Sequence, residues 1–374
     1  MIRTYALSEI GNLRVLGRTP QRRDPLTLFW TASGIEMLVT GSELYVDFTV
    51  DYDWFEPWIE IVIDGTLSQR RMLDRGIQRV CMFRRMEPGI ARHVRVLKAT
   101  QAIPGDEAAL LQISAIAADG EFLPLPKPAM RVEVIGDSIT SGEGLAGAIT
   151  ENTWNASVFG ACNSYHVLLG KALTADVHVV SQSGYGVYCN WCGDVRESLP
   201  QYYEAVCGVL RGERNVGLGA REPWDFSAWQ PDYIIVNLGT NDSGSFDHTG
   251  EWFEDGGGQC AMRLNPDGNM FADDRAQIWR AVMEFLRLLR LRNPDSFILW
   301  CYGMLPGRLT DTLREAVAAY RRATRDERVA FLLLPETREG EYGARRHPGP
   351  EAHRRAAEAL EKWIRATQQR RGRS

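Results

Sequence analysis

Nothing in this 374-residue sequence is long and apolar enough to span a bilayer, and Met1-Ile-Arg-Thr-Tyr-Ala lacks the apolar core of a secretory signal. No basic run carries interleaved aromatics, and a net charge of −5 argues against a nucleic-acid surface. The cationic stretch Arg370-Arg371-Gly372-Arg373 follows a helical pattern and reads as a solvated, frayed end. Seven cysteines, an odd number scattered along the chain, do not make a disulfide framework. Cys189-Asn190-Trp191-Cys192 has redox or zinc spacing, yet no second pair or ligand-spaced histidines accompany it. These absences set the expectation of a cytoplasmic protein with reduced thiols, working without a membrane or nucleic-acid partner.

Cofactor signals are equally thin. There is no G-K-[S/T] phosphate loop and no HxxxH metal pattern, so neither a metal nor a cofactor is expected. Gly142-Glu143-Gly144-Leu145-Ala146-Gly147 spells G-x-G-x-x-G, but it begins several residues beyond the nearest strand pattern. The following strand pattern ends in Ser181-Gln182, without the acid a ribose would need. The pairs Glu254-Asp255 and Asp273-Asp274 read as solvated loop and helix-start charges.

What is present divides into two halves by periodicity. Apolar content of 44% and charged content of 24% are ordinary for a soluble globular protein, and the length suits two domains. Leu44, Val46, Phe48 and Val50 alternate with polar residues, as on a half-buried strand. Ile59, Ile61 and Ile63 do the same and run into Asp64-Gly65, a hairpin signal. No amphipathic helix pattern appears between residues 25 and 120, so residues 1–125 are expected to form an all-β sandwich or jelly roll. Leu123-Pro-Leu-Pro-Lys-Pro128 then forms a stiff linker. Beyond it, the apolar runs at 132–135, 177–180, 233–238, 297–299 and 329–334 are continuous, as in parallel strands covered on both faces. Helical patterns separate them, including 274–291, 310–323 and 351–366. Residues 129–374 are therefore expected to be a doubly wound parallel α/β domain.

The chemistry gathers where those strands end. Gly136-Asp137-Ser138 stops the first apolar run and places Ser138 at a strand's carboxyl end, where open α/β sheets bind ligands. Ser138 is a candidate nucleophile; by itself it could equally be a helix N-cap, although Thr140 and Ser141 can cap as well. Gly184 follows the second run and lets a backbone N–H approach a ligand, or simply makes a turn. Asn241 follows the third and carries an amide able to donate to an oxyanion, or an ordinary cap. A serine nucleophile needs a base, and there are six histidines. His93, His166, His178 and His353 fall within strand or helix patterns, and His248 within a Gly-rich insertion. His347 alone precedes the last helix after the last strand, on a loop able to reach over the sheet edge.

Gly136-Asp137-Ser138, Gly184, Gly239-Thr240-Asn241-Asp242 and His347, in this order, resemble the four sequence blocks of the SGNH (GDSL-type) hydrolases. Upstream, Arg14-Val-Leu-Gly-Arg18 and Trp30-Thr-Ala-Ser-Gly34 are similar to the N-terminal jelly roll of carbohydrate esterase family 2. The resemblance implies a jelly roll fused to a flavodoxin-like SGNH domain. It implies a serine esterase that removes acetyl groups from plant polysaccharides such as xylan and glucomannan. It further implies Ser138 as nucleophile, His347 as base, and the N–H groups of Ser138, Gly184 and Asn241 as the oxyanion hole.

One departure stands out. These hydrolases usually carry Asp three residues before the histidine, and Ala344 occupies that position here. The resemblance then implies a dyad in which a backbone carbonyl orients the imidazole, with Glu341 folding back as the alternative. For a sugar pocket, Tyr185, Tyr302, Trp191 and Trp252 are the aromatic candidates, with Tyr302 and Tyr185 preferred by position. Two other functions fit the same blocks. A lipid or thioester acylhydrolase would show an apolar cleft, and a carbohydrate-binding protein with a vestigial hydrolase domain would have lost a block.

Overall fold

In the computed structural model, which describes residues 1–371, two antiparallel sheets precede a parallel sheet wrapped in helices. Alternation builds the first part. Leu44, Val46, Phe48 and Val50 of β5 (Leu44–Asp51) are buried and the residues between them half-buried. β5 pairs with β10 (Leu110–Ala118) and β8 (Gly76–Phe83), while β1 (Arg3–Tyr5) and β3 (Leu26–Thr27) add to β10. The second sheet runs in the order β11 (Phe122–Leu123), β4 (Gly34–Val39), β9 (Arg92–Lys98), β6 (Trp58–Ile63) and β7 (Thr66–Met72), with β2 (Arg14–Leu16) on β4. Phe48 and Ile113 of one sheet share a core with Ile61 and Val94 of the other, giving a β-sandwich. Asp64 and Gly65 turn the β6–β7 hairpin, both at positive φ (49° and 78°).

After Pro124, Pro126 and Pro128 the chain enters a five-stranded parallel sheet. Its order is β13 (Ala175–Ser181), β12 (Met130–Gly136), β14 (Tyr233–Asn237), β15 (Phe297–Tyr302) and β16 (Val329–Leu333). Val132, Val134, Ile235 and Leu299 face α2 (Tyr165–Leu173) and α7 (Pro350–Arg371), packing on Leu169, Ala356 and Leu360. Ile135, Ile234, Val236 and Trp300 face the other way, onto Val282 and Leu286 of α5 (Ala272–Arg292) and Leu313 of α6 (Thr310–Thr324). Burial on both faces explains why these runs are continuous rather than alternating. Three shorter helices, α1 (Ser138–Ser141), α3 (Glu213–Gly217) and α4 (Thr240–Gly244), lie in the connections. Of the cationic tail, Arg370 and Arg371 belong to α7, and Gly372 and Arg373 lie outside the described residues.

The sandwich and the parallel sheet share a core instead of merely touching. Phe29 and Trp30 pack among the residues of the α5 face, and Trp30 Nε1 donates to the Val206 carbonyl at 2.7 Å. Arg18, fully buried, reaches Glu133 of β12 at 2.8 Å. Its guanidinium also donates to the Tyr203 and Ala205 carbonyls and lies over the Tyr203 ring. A buried ion pair of this kind tolerates no half-removal, because the surviving charge is left without water. Arg18→Ala is expected to cost about 3–5 kcal/mol, read as a drop in the denaturation midpoint; Glu133→Ala should cost a similar amount.

Candidate active site

The strand order places β13 and β14 on opposite sides of β12, so the carboxyl ends of these three strands meet at a reversal of winding. All three candidate blocks emerge there. At the end of β12 the chain turns at Gly136, where an added Cβ would collide with the Thr140 hydroxyl. Asp137 then caps α1, its carboxylate accepting from the Ile139 N–H at 3.0 Å. The cap is Asp137 and not Ser138, which leaves the serine hydroxyl free for other work. Burial, with Asp242 nearby, pushes the Asp137 carboxyl up to about 7. α1 itself is held from several sides: the Thr140 hydroxyl meets the Tyr165 hydroxyl at 2.7 Å, and the Thr140 carbonyl lies 2.9 Å from His166 Nε2.

His347 Nε2 lies 2.9 Å from Ser138 Oγ. The other ring nitrogen, Nδ1, is 3.0 Å from the backbone carbonyl of Arg345. A carbonyl only accepts, so Nδ1 carries the proton and Nε2 presents its lone pair to the serine. Glu341 plays no part in this: its carboxylate is taken by Arg355 at 2.6 Å and by the Arg338 N–H at 2.9 Å. The loop bearing His347 sits close because the glycines after α1 make room. A Cβ on Gly144 would lie 2.6 Å from His347 Cβ, and one on Gly343 would strike the Gly144 carbonyl. The glycines of the G-x-G-x-x-G string thus help seat the histidine loop against the serine helix.

The other two residues singled out, Gly184 and Asn241, follow the carboxyl ends of the neighbouring strands β13 and β14. Gly184 lies beyond β13 with φ +83°, its carbonyl accepting from the Trp191 N–H at 2.8 Å. The residue before it, Ser183, is fastened by its N–H to Gln101 Oε1 of the β-sandwich at 2.8 Å. Gln101 is presented by a turn that Lys98 shapes, its ammonium donating to the Phe29, Thr100 and Gln101 carbonyls. Burial pulls the Lys98 pKa down to about 7. Asn241, in α4, donates one amide hydrogen to the Tyr185 carbonyl at 3.0 Å, leaving the second for another acceptor. Its neighbour Asp242 is fully buried and accepts from the N–H groups of Val187, Tyr188 and Cys189 at 2.8, 2.7 and 3.1 Å. Burial raises the Asp242 pKa and those three donors oppose the rise. One carboxylate therefore locks the Gly184 loop to the Asn241 helix.

The preferred aromatic candidates need correcting. Tyr302 is 1% exposed and its ring packs in the α5–α6 core, so it offers no face to a sugar. Tyr185 is 6% exposed and contributes its carbonyl to Asn241 instead of its ring to a ligand. Tyr185 follows β13 and Tyr302 is the last residue of β15, and both rings pack into the same hydrophobic core. Trp191 and Trp252 are different: they are exposed and line a cleft of about 470 Å³ with His248, Glu197, Arg211 and Glu251. The cleft adjoins the Gly184 turn through Trp191, whose Cδ1 lies 3.0 Å from where a Gly184 Cβ would stand. Gln101 and Glu143 were not singled out by the sequence. For Glu143 the available signal was a charged residue between glycines just after α1; for Gln101 there was none, since its partner is 82 residues away.

A model of the GDSL-like Lipase/Acylhydrolase family matches residues 134–355. Among solved structures, an acetyl xylan esterase from the rumen bacterium Butyrivibrio proteoclasticus superposes with a TM-score of 0.96 at 41% identity, covering 98% of this chain and 99% of that one. A family two carbohydrate esterase from Cellvibrio japonicus shares the fold, with a TM-score of 0.78 at 24% identity over 98% of each chain. An acetylxylan esterase / glucomannan deacetylase from Cellvibrio japonicus is 30% identical over 242 residues, 64% of this chain and 63% of its own length. The chain thus spans somewhat less than two thirds of that relative.

Gly144 offers a test of how tightly the histidine loop must sit. Gly144→Ala should displace His347, and a displacement near 1 Å is expected to lower turnover of a simple ester by about 100-fold. A rate profile beside a melting curve separates this from unfolding.

Proposed function

The chain belongs to the GDSL-like lipase/acylhydrolase family, and on that premise we propose that it is a serine esterase removing O-acetyl groups from xylan- or mannan-type oligosaccharides. The observation that carries the proposal is the 2.9 Å contact between Ser138 Oγ and His347 Nε2, with Nδ1 already committed to a carbonyl. In the reaction Nε2 takes the serine proton as Oγ attacks the acetyl carbon. The N–H groups of Ser138 and Gly184 and the free amide hydrogen of Asn241 receive the oxyanion. The N–H of Ser138 suits this role because it opens a helix, where the first amides have no intrahelical acceptor. The imidazolium returns its proton to the departing sugar oxygen, leaving an acetyl group on Ser138. Water, activated by the same nitrogen, then releases acetate.

The cleft beside the site supports a sugar over a lipid. Trp191 and Trp252 give flat apolar faces, and Glu197, Arg211 and Glu251 give acceptors and donors suited to hydroxyl groups. An acyl chain would find those charges costly. The relatives named for acetylxylan and glucomannan deacetylation point the same way. Retention of all four blocks, with serine and histidine in contact, weighs against a vestigial site.

Ser138→Ala is expected to reduce acetate release from p-nitrophenyl acetate and from acetylated xylo- and manno-oligosaccharides by about four orders of magnitude or more. Wild-type rates in the folded variant would remove Ser138 from the reaction. Trp252→Ala should raise KM for acetylated oligosaccharides about 3- to 10-fold more than for p-nitrophenyl acetate, measured by following acetate with NMR.

A further inference from the structure

A dyad built on a backbone carbonyl has a neutral group where a triad has a carboxylate, so the imidazolium formed during turnover receives less support. The protein nevertheless holds a carboxylate at the site, on the opposite side of the ring. Glu143 follows α1, with its N–H donating to the Ser138 carbonyl at 3.0 Å, so its backbone rides on the nucleophile helix. Its side chain is 2% exposed. One oxygen, Oε1, takes Arg345 Nε at 2.5 Å. The other, Oε2, accepts from the Ser183 hydroxyl at 2.7 Å and stands 3.9 Å from His347 Nε2.

Each partner leads to a different part of the machinery. Arg345 supplies the carbonyl that orients His347, and it does so from a left-handed conformation with φ +54°, followed by Arg346 at +55°. Two successive non-glycine residues in that region need holding from outside. The hold comes from the Glu143 ion pair, the bond from Arg345 Nη1 to the Asn152 carbonyl at 3.0 Å, and the Arg345 N–H to the Glu151 carbonyl at 2.7 Å. Ser183 leads to Gly184. Its N–H and its hydroxyl are fixed by Gln101 and Glu143, which steadies the backbone leading to the next N–H.

We propose that Glu143 is a positioning residue for the esterase reaction, a buried carboxylate that aligns the histidine loop and the Gly184 loop and supplies the negative charge the dyad otherwise lacks. The proposal rests on the Ser138–His347 reading of the site. At 3.9 Å Oε2 is too far from Nε2 for a hydrogen bond, and in the resting state it leaves the lone pair to the serine. Once Nε2 is protonated, the carboxylate, itself buried, attracts the partly buried imidazolium across 3.9 Å. Glu143 is the one acid within 4.0 Å of the imidazole among the described residues. The other ionisable neighbours are the Arg345 guanidinium, one carboxylate away, and His353 on α7, which burial keeps neutral with a pKa of about 3.

The test is the pH dependence of kcat/KM for p-nitrophenyl acetate, a substrate that makes no demand on the sugar cleft. Glu143→Gln is expected to lower kcat about 10- to 100-fold and to move the acid limb about one unit toward lower pH, because the protonated imidazole loses its nearby anion. Arg345→Met leaves that anion unpaired and should move the limb toward higher pH, and Glu143→Asp should recover part of both losses. Unfolding of a fraction of the sample lowers the amplitude of such a profile without moving its limb, so opposite displacements isolate the charge. Limbs that stay in place, or that move the same way in both variants, overturn the proposal, as does wild-type kcat in Glu143→Gln. Wild-type turnover in His347→Ala would overturn it differently, by removing the dyad on which it stands.

Discussion

The structure of the site depends on one hydrogen bond, from His347 Nδ1 to the carbonyl of Arg345. That bond selects the tautomer in which Nε2 is an acceptor, and only that tautomer can take a proton from Ser138. In a triad a carboxylate does the same task and adds charge. Here the backbone carbonyl holds Nδ1, so the conformation of the Arg345–Arg346 turn becomes part of the proposed chemistry. Much of what surrounds the site serves that turn: Gly144 and Gly343 allow the loop to approach, and Glu143, Glu151 and Asn152 tie Arg345 in place.

The β-sandwich belongs to this arrangement through polar contacts. Thr31 donates to the Ser141 carbonyl at the end of α1, and Gln101 accepts from Ser183 beside Gly184. Glu60 holds the N–H groups of Ala161 and Cys162 ahead of α2, and Arg70 donates to the Ser157 and Phe159 carbonyls. Glu60 and Arg70 project from strands β6 and β7, so their bonds tie the connection ahead of α2 to a sheet.

What could be read from sequence followed physical locality. Strand and helix runs were legible because burial on one face or two writes period-two or continuous apolar patterns, as in β5 and β12. Ser138, Gly184 and Asn241 could be singled out because each stands three or four residues past the end of such a run. His347 was legible by elimination among six histidines. The aromatic assignments went astray where exposure decides function: Tyr185 follows β13 and Tyr302 ends β15, but whether a ring faces out depends on what packs over it from elsewhere in the chain. Glu143 lay hidden inside a motif weighed for nucleotide binding, because its partners Ser183 and Arg345 are 40 and 202 residues away.

The central claim is that Ser138 is a nucleophile whose proton is taken by His347. Brief exposure to a fluorophosphonate, followed by peptide mass spectrometry, tests it most directly. The account predicts one phosphonylated site, Ser138, in the wild-type protein, and no labelling on the same timescale in His347→Ala. Modification at another residue, or labelling of Ser138 that proceeds equally fast without the imidazole, would contradict it.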